Sequence, residues 1–130
     1  MNELDNLDSQ QRMELAQTIV QILSDWGVEP EHQIILMGLP AETRPRAMSR
    51  YRMGGAALPD DQDCLLRAHY ILRIQNAVAS IYPHNTQVGN YWITTPNAFF
   101  GNRTPLEVML VGGVESMESI MHHLNGTGSW

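Results

Sequence analysis

Apolar residues recur at helical spacing along most of this chain. Asp8 and Gln11 have the types and spacing of a helix N-cap and its reciprocal partner, and Gly27 marks a stop. The apolar stripe between them consists of Leu15, Ile19, Ile22, Leu23 and Trp26. This pattern predicts a first helix that buries one face and ends before Gly27.

Two shorter helices are predicted next. The first opens at Pro30 and closes at Gly38, and the second runs from Arg46 to Met53 and stops before a glycine pair. Proline suits the first turn of a helix, so Pro45 marks the start of the second one. A short helix, a turn and a further helix with basic residues form the arrangement of a helix-turn-helix.

A long helix is predicted from Pro59 to Tyr82, which at 1.5 Å per residue would span roughly 36 Å. It has apolar stripes on two faces, so we expect it to pack between neighbours on both sides. One stripe consists of Cys64, Ala68, Ile71, Ile74, Val78 and Ile81, and the other of Leu65, Leu72 and Ala79. We interpret this helix as the spine that two small lobes share.

The last third of the chain predicts two more helices. Thr104, Pro105 and Glu107 form a strong helix start, and a glycine pair at 112–113 interrupts the helical pattern that follows. The final helix is expected to stop at Gly126. No alternation typical of a β-strand lasts more than a few residues.

The sequence therefore predicts an all-α protein. The expected architecture is an N-terminal helix-turn-helix-like lobe, over residues 1–58, joined by the long shared helix to a small helical lobe within residues 59–130. A length of 130 residues with 43% hydrophobic residues is enough for a real core.

Composition excludes several classes of protein. No apolar run reaches 18 residues, which argues against a transmembrane helix, and the acidic, polar first ten residues argue against a secretory signal. Cys64 is the single cysteine and cannot form an internal disulfide, which fits a reducing compartment. We therefore expect a cytoplasmic protein with no membrane partner.

Positive charge is concentrated in one short segment. The chain has eight arginines and no lysine, and four of the arginines fall within residues 44–52. Such an island in an acidic protein is the place where phosphate could be bound. The candidate DNA contacts are Arg44, Arg46, Ser49, Arg50 and Arg52. Two alternatives stay open: a solvated basic face, or arginines that pair with the acidic residues 1–31.

Charged residues are missing from residues 74–102, which contain no Asp, Glu, Lys or Arg. This stretch holds five of the nine aromatic residues, namely Tyr82, Tyr91, Trp92, Phe99 and Phe100. Low charge with many aromatics is typical of a core or an interface. Together with the two-faced long helix, it offers more apolar surface than one small core needs, so we predict a homodimer.

The side chains that could support catalysis do not form a recognisable site. His122 and His123 are adjacent and point about 100° apart on a helix, so they cannot easily share one metal ion. Cys64 lies on an apolar stripe, which favours a core residue over a nucleophile. The common metal, nucleotide and nucleophile motifs do not occur. We therefore predict no catalytic residue, no metal, no cofactor and no small-molecule substrate.

The most specific motif of the chain runs from Trp92 to Leu110. It resembles the toxin-binding domain of the Xre/MbcA/ParS antitoxins, and the similarity covers about residues 59–130. The matching positions are Pro96-Asn97, Gly101, Arg103-Thr104-Pro105-Leu106-Glu107 and Gly112-Gly113. Asn102 departs from the pattern, because the family has a second glycine there. Residues 9–58 resemble the Xre-like helix-turn-helix half more weakly, through the segment Arg50-Tyr51-Arg52-Met53-Gly54.

The resemblance implies the antitoxin of a toxin–antitoxin pair. Its partner would be a RES-type toxin that consumes NAD or transfers ADP-ribose from it, inhibited by steric blockage of its NAD cleft. The N-terminal half would dimerise and bind operator DNA, which represses the operon. The candidate toxin contacts are Trp92, Asn97, Phe100, Arg103, Ser129 and Trp130. The uncharged tail 126–130 would reach into the toxin, with Trp130 as its anchor.

Other interpretations remain for some of these residues and for the whole chain. Arg103 and Glu107 could serve the fold instead, with Arg103 bonding loop carbonyls and Glu107 capping a helix. The chain could also be a stand-alone helical DNA-binding regulator without a toxin. A neighbouring reading frame that encodes a RES-like enzyme would discriminate between the two functions, whereas a metabolic enzyme has no residues to support it.

Overall fold

The computed structural model describes residues 6–128, and the regular elements in this range are helices joined by loops. It contains no β-strand there, apart from one isolated bridge between Asn97 and Arg103. The elements are α1 (Ser9–Asp25), α2 (Pro30–Met37), α3 (Ala47–Arg52), α4 (Gln62–Ile81), α5 (Thr86–Trp92), a short 3-10 helix (Ala98–Phe100) and α6 (Pro105–Gly128). The predicted all-α class is confirmed.

Local capping chemistry explains where the first two helices begin and end. The Gln11 backbone N–H donates to Asp8 Oδ1 over 2.7 Å, and the Asp8 N–H donates to Gln11 Oε1 over 2.9 Å, which is a complete capping box at the start of α1. α2 has Pro30 in its first turn and ends at Gly38, which takes the left-handed conformation with φ 72°. The predicted bounds of both helices are confirmed.

The long helix α4 packs against α1, α2, α5 and α6. Its buried side chains include Cys64, Ile71, Ile74 and Val78. They belong to one hydrophobic cluster with residues of α1, such as Ile19, and residues of α6. Both predicted lobes therefore share a single core, with α4 at its centre. The boundary between residues 58 and 59 stays a prediction.

α6 is interrupted at Gly113, whose φ of 64° and ψ of −139° are not helical. The helix continues on both sides of this residue, so α6 consists of two helical segments that meet at a kink. The glycine pair at 112–113 predicted such a break, and the break is confirmed. A backbone conformation of this kind is almost restricted to glycine.

The start of α4 holds the end of α2 in place. The guanidinium of Arg67 donates from Nη1 to the carbonyl oxygen of Ile35 over 3.1 Å, and its Nε lies 2.9 Å from Asp63 Oδ2. The thiol of Cys64 lies 3.2 Å from the carbonyl oxygen of Gly38. These bonds satisfy carbonyl groups that a helix end leaves without intrahelical partners.

Sequence patterns did not predict α5. Its N-cap Asn85 accepts a hydrogen bond from the Val88 N–H over 3.2 Å, but no apolar stripe follows. The helix is fixed instead by close packing, because Gly89 is buried against Val78 of α4. Within the described residues, no helix is both long and apolar enough to cross a membrane.

Candidate functional site

A tight loop between α5 and α6 forms the base of the candidate site. The Asn97 side chain accepts a hydrogen bond from the Phe99 N–H over 2.8 Å, and the Asn97 N–H donates to the carbonyl oxygen of Arg103 over 3.1 Å. Gly101 and Asn102 follow each other in the left-handed conformation, with φ of 67° and 64°. Asparagine is one of the few residues that adopt this conformation readily, so Asn102 supports the turn where the similar antitoxin motif has glycine.

The loop leads into α6 through a second capping box. The Glu107 N–H donates to Thr104 Oγ1 over 3.0 Å, and the Thr104 N–H donates to Glu107 Oε1 over 2.9 Å. The hydrogen bonds from Thr104 lower the pKa of the Glu107 carboxyl. The carboxylate therefore serves the helix start, as the structural interpretation of Glu107 predicted.

Four aromatic rings meet where this loop packs against the end of α6. His123 stacks on Phe99 with ring centroids 4.1 Å apart, and it stacks on Trp92 at 6.4 Å. The Phe100 ring makes edge-to-face contacts with two of these rings, with centroids 5.0 Å from Phe99 and 5.5 Å from His123. We call these four residues the aromatic cluster. Its rings come from α5, the 3-10 helix and α6, so its geometry depends on all three elements.

The two adjacent phenylalanines have opposite roles in the cluster. Phe100 is 8% exposed and belongs to the core, whereas Phe99 is 65% exposed. Phe100 was the predicted contact, but Phe99 is the ring that a partner can reach. Adjacent aromatic residues carry no sequence signal that tells which one faces outward.

The remaining predicted contacts of the C-terminal part lie around this cluster. Trp92 and Asn97 are half-buried, and Arg103 is exposed while its Nε lies 3.3 Å from the carbonyl oxygen of Phe100. Arg103 thus bonds a loop carbonyl and still presents its charge at the surface. Ser129 and Trp130, the predicted tail contacts, lie outside the described residues.

A groove of about 1020 Å³ opens beside the aromatic cluster, between the end of α1 and α5. Trp92 belongs to the wall of this groove as well as to the cluster. The groove is lined by Asp25, Trp26, Gly27, Tyr82, Asn85, Gln87, Val88, Asn90, Tyr91, Trp92, Thr94 and Thr95. No sequence pattern indicates this groove, because its two sides lie more than 50 residues apart in the chain.

The four arginines within residues 44–52, which we call the arginine island, lie in the N-terminal half of the chain, on α3 and in the loop before it. Arg44, Arg46, Arg50 and Arg52 are all exposed, as is Ser49. Arg50 Nη2 lies 3.4 Å from the carbonyl oxygen of Gly55. Among residues 6–128, none of the four arginines forms an ion pair. Their charges are therefore available to solvent or to a partner.

The groups that could support metal binding or nucleophilic catalysis are separated or buried. Within the described part of the chain, no three His, Cys, Asp or Glu side chains are grouped so that they could hold a metal ion. Cys64 is buried in α4, and burial, followed by the nearby Asp61, raises the pKa of its thiol to about 11. A thiol of that pKa is a poor nucleophile at neutral pH.

Two comparisons with known proteins bear on this site. The chain is similar to an uncharacterized protein, y4oB, of Sinorhizobium fredii (strain NBRC 101917 / NGR234), with 27% identity over 105 residues, which cover 81% of this chain and 77% of that protein. Residues 77–126 match the family described as antitoxin Xre/MbcA/ParS C-terminal toxin-binding domain. This range includes α5, the loop and the aromatic cluster. The C-terminal part of this chain, over residues 77–126, is therefore similar to the toxin-binding domain of the Xre/MbcA/ParS antitoxins.

Proposed function

We propose that this chain is the antitoxin that inhibits a RES-type toxin, an enzyme that consumes NAD or transfers ADP-ribose from it. The observation that carries the proposal is the exposed aromatic surface within the matched residues 77–126. A toxin-binding domain needs such a surface. An exposed aromatic surface therefore supports a regulator that acts by binding and not by catalysis. The motif resemblance of residues 92–110 supports a toxin of the RES type.

Phe99 is the strongest single contact on this surface. Its ring is 65% exposed and is held by stacking on His123 at 4.1 Å and by the edge of Phe100 at 5.0 Å. A side chain that is already ordered loses little entropy on binding, and an aromatic ring buries a large apolar area. Phe99 therefore has the properties of a binding hot spot.

Trp92, Asn97, Phe100 and Arg103 support this contact in different ways. Trp92 and Phe100 hold the stacked rings, and Asn97 fixes the loop through its bond to the Phe99 N–H. Arg103 adds an exposed positive charge beside the rings. In this proposal Ser129 and Trp130 extend the contact toward the NAD cleft of the toxin and block it.

The same chain would repress its own operon as a homodimer, through Arg44, Arg46, Ser49, Arg50 and Arg52. Their exposure, without an ion pair among residues 6–128, supports phosphate binding. α3 packs on α1 and buries its Met48, whereas its Ser49, Arg50 and Arg52 are exposed. This geometry fits a recognition helix.

The test uses the full chain and a RES-type protein whose reading frame adjoins that of this chain. NAD consumption by that protein is titrated with wild-type chain, with Phe99→Ala, and with Met53→Ala as the matched control. Met53 is equally apolar and 81% exposed, but it follows α3 in the other half. We expect Phe99→Ala to weaken inhibition roughly thirtyfold, or about 2 kcal/mol, and Met53→Ala to inhibit like the wild type.

Two results would contradict the proposal. If the wild-type chain does not lower NAD consumption at any ratio, it is not the antitoxin of that enzyme, and a stand-alone regulator becomes the better explanation. If Phe99→Ala and Met53→Ala inhibit equally well, the aromatic cluster is not the contact surface. Thermal melting of each variant shows whether the fold is retained.

A further inference from the structure

We infer that toxin binding extends beyond residues 77–126 onto the end of α1, where the groove between α1 and α5 accepts an apolar segment of the toxin that presents an arginine or lysine to Asp25. This inference rests on the proposed antitoxin function. It adds a second contact, and it states the chemistry of the partner that fits there.

The groove has walls from both halves of the chain. One wall is the end of α1, at Asp25, Trp26 and Gly27, and the other consists of α5 and the residues after it. The Trp26 indole N–H donates to Gln75 Oε1 of α4 over 2.7 Å, so the α1 wall is tied to the central helix. The site is therefore formed before the partner arrives, which lowers the entropic cost of binding.

The α5 wall presents large hydrophobic side chains that stay exposed in the fold. Val88 and Tyr91 are three residues apart and share one face of the helix, and they are 44% and 73% exposed. Gly89 fixes the position of α5, because a Cβ there would lie 2.9 Å from Val78 Cγ1. This leaves a rigid apolar edge at the groove, next to the aromatic cluster through the shared Trp92.

The α1 wall carries an anion that has no cation beside it. Asp25 lies in the last turn of α1, which contains no basic residue, and it accepts a hydrogen bond from Gln21 Nε2 over 2.9 Å. It forms no ion pair with any described residue, and it is the one charged side chain among the described residues that line the groove. A carboxylate at the negative end of a helix is unfavourable, so a cation from a partner would be attracted to it.

Charge also decides between the possible occupants. Nucleic acid is disfavoured, because its phosphates would face both Asp25 and the negative end of α1. A second copy that used the same groove in a symmetric dimer would bring two Asp25 carboxylates toward each other. An apolar protein segment with a basic residue complements the groove in both shape and charge.

The experiment measures binding of the full chain to a RES-type protein whose reading frame adjoins that of this chain. The variants are Asp25→Asn and Asp25→Arg, with Asp60→Asn as the matched control, since Asp60 is an exposed aspartate before α4 and does not line the groove. Kd is measured by calorimetry at low and at high salt. We expect Asp25→Asn to weaken binding about fivefold to tenfold at low salt, Asp25→Arg to weaken it further, and Asp60→Asn to leave it unchanged.

Two more readouts separate a lost contact from a damaged fold. The free Asp25→Asn chain is expected to melt about 1–4 °C higher than the wild type, because the unfavourable charge at the helix end is gone. Its affinity for the toxin is also expected to depend less on salt, since one ion pair is missing. A purely structural role of Asp25 would lower the melting temperature and leave the salt dependence as it was.

The possible results distinguish this inference from the proposed function. If the wild type binds the toxin and Asp25→Asn binds equally well at both salt concentrations, the groove contact is refuted and the antitoxin function stands. If the wild type does not bind, the proposed function fails and this inference fails with it. If Asp25→Asn instead makes the free chain associate with itself in sedimentation, the groove is a contact between copies and the inference is overturned.

Discussion

Replacing Gly113 by alanine is expected to destabilise the protein strongly, although the substitution adds only one methyl group. Gly113 has φ 64° and ψ −139°, a combination that residues with a Cβ atom avoid at a cost of about 1–3 kcal/mol. The added Cβ would lie 3.3 Å from Arg67 Nη2. The Arg67 guanidinium holds the carbonyl oxygen of Ile35 through Nη1, so it cannot move away freely.

The size of the expected effect can be stated as a melting temperature. A chain of 130 residues, at about 2.1 cal/mol/K per residue, has an unfolding entropy of about 0.27 kcal/mol/K. A loss of about 1–3 kcal/mol therefore lowers Tm by about 4–11 °C. The matched control is Gly126→Ala in the same helix, where an added Cβ meets nothing within 4 Å and alanine favours the helix by up to about 1 kcal/mol.

Circular dichroism at the helical band, followed during heating, measures both variants against the wild type. We expect Gly113→Ala to melt lower and Gly126→Ala to melt at or above the wild-type temperature. If Gly113→Ala changes Tm by less than about 1 °C, the break in α6 does not require glycine and the reasoning from its backbone angles is refuted. A higher Tm would mean that α6 is a continuous helix.

Three further predictions concern DNA, the tail and the thiol. Replacing Arg50 and Arg52 by alanine should reduce the slope of the logarithm of the operator-binding constant against the logarithm of salt concentration by about two in each protomer. Each lost phosphate contact accounts for about 0.9 of this change. An unchanged slope would mean that these arginines form only a solvated face. Deleting residues 126–130 removes the end of α6 but should leave the rest of the helical fold and any DNA binding intact. It should weaken inhibition of NAD consumption by more than roughly thirtyfold, and equal inhibition would exclude the tail as the blocking element. Because the folded state raises the pKa of Cys64 from 9.0 to about 11, mainly by burial, the folded state binds the thiol proton more tightly. The free energy of unfolding should therefore fall as the pH rises from about 9 to about 11, and it should fall less in Cys64→Ala than in the wild type. An equal fall in both proteins would contradict the raised pKa.

The sequence predicted those parts of the fold that local chemistry determines. The caps at Asp8 and Thr104 and the stop at Gly38 act within four residues, so their types and spacing were sufficient. α5 lacks such a pattern, since its position depends on the fit of Gly89 against Val78. A glycine there looks like a helix breaker until its partner is known.

The candidate site was predicted only in part for a related reason. The motif from Trp92 to Leu110 located the loop, but His123 joins it from the far end of α6. The groove likewise combines Asp25 with Tyr91, which no short window of sequence contains. Contacts between distant parts of the chain depend on packing, and packing also decides that Phe99 and not Phe100 is exposed.

The central position of α4 limits how this protein could exchange parts with its relatives during evolution. The family match begins at Ala77, inside α4, while the buried face of that helix already starts at Cys64. A recombination event at residue 77 would separate Ile71 and Ile74 from the core they complete. A crossover that yields a folded hybrid has to fall before Asp61, in the segment between α3 and α4. The new N-terminal half must also supply an α1 that packs against the α4 of this chain. Exchange of either half of this chain is thus constrained by the one helix that both halves share more than by the surfaces that they expose.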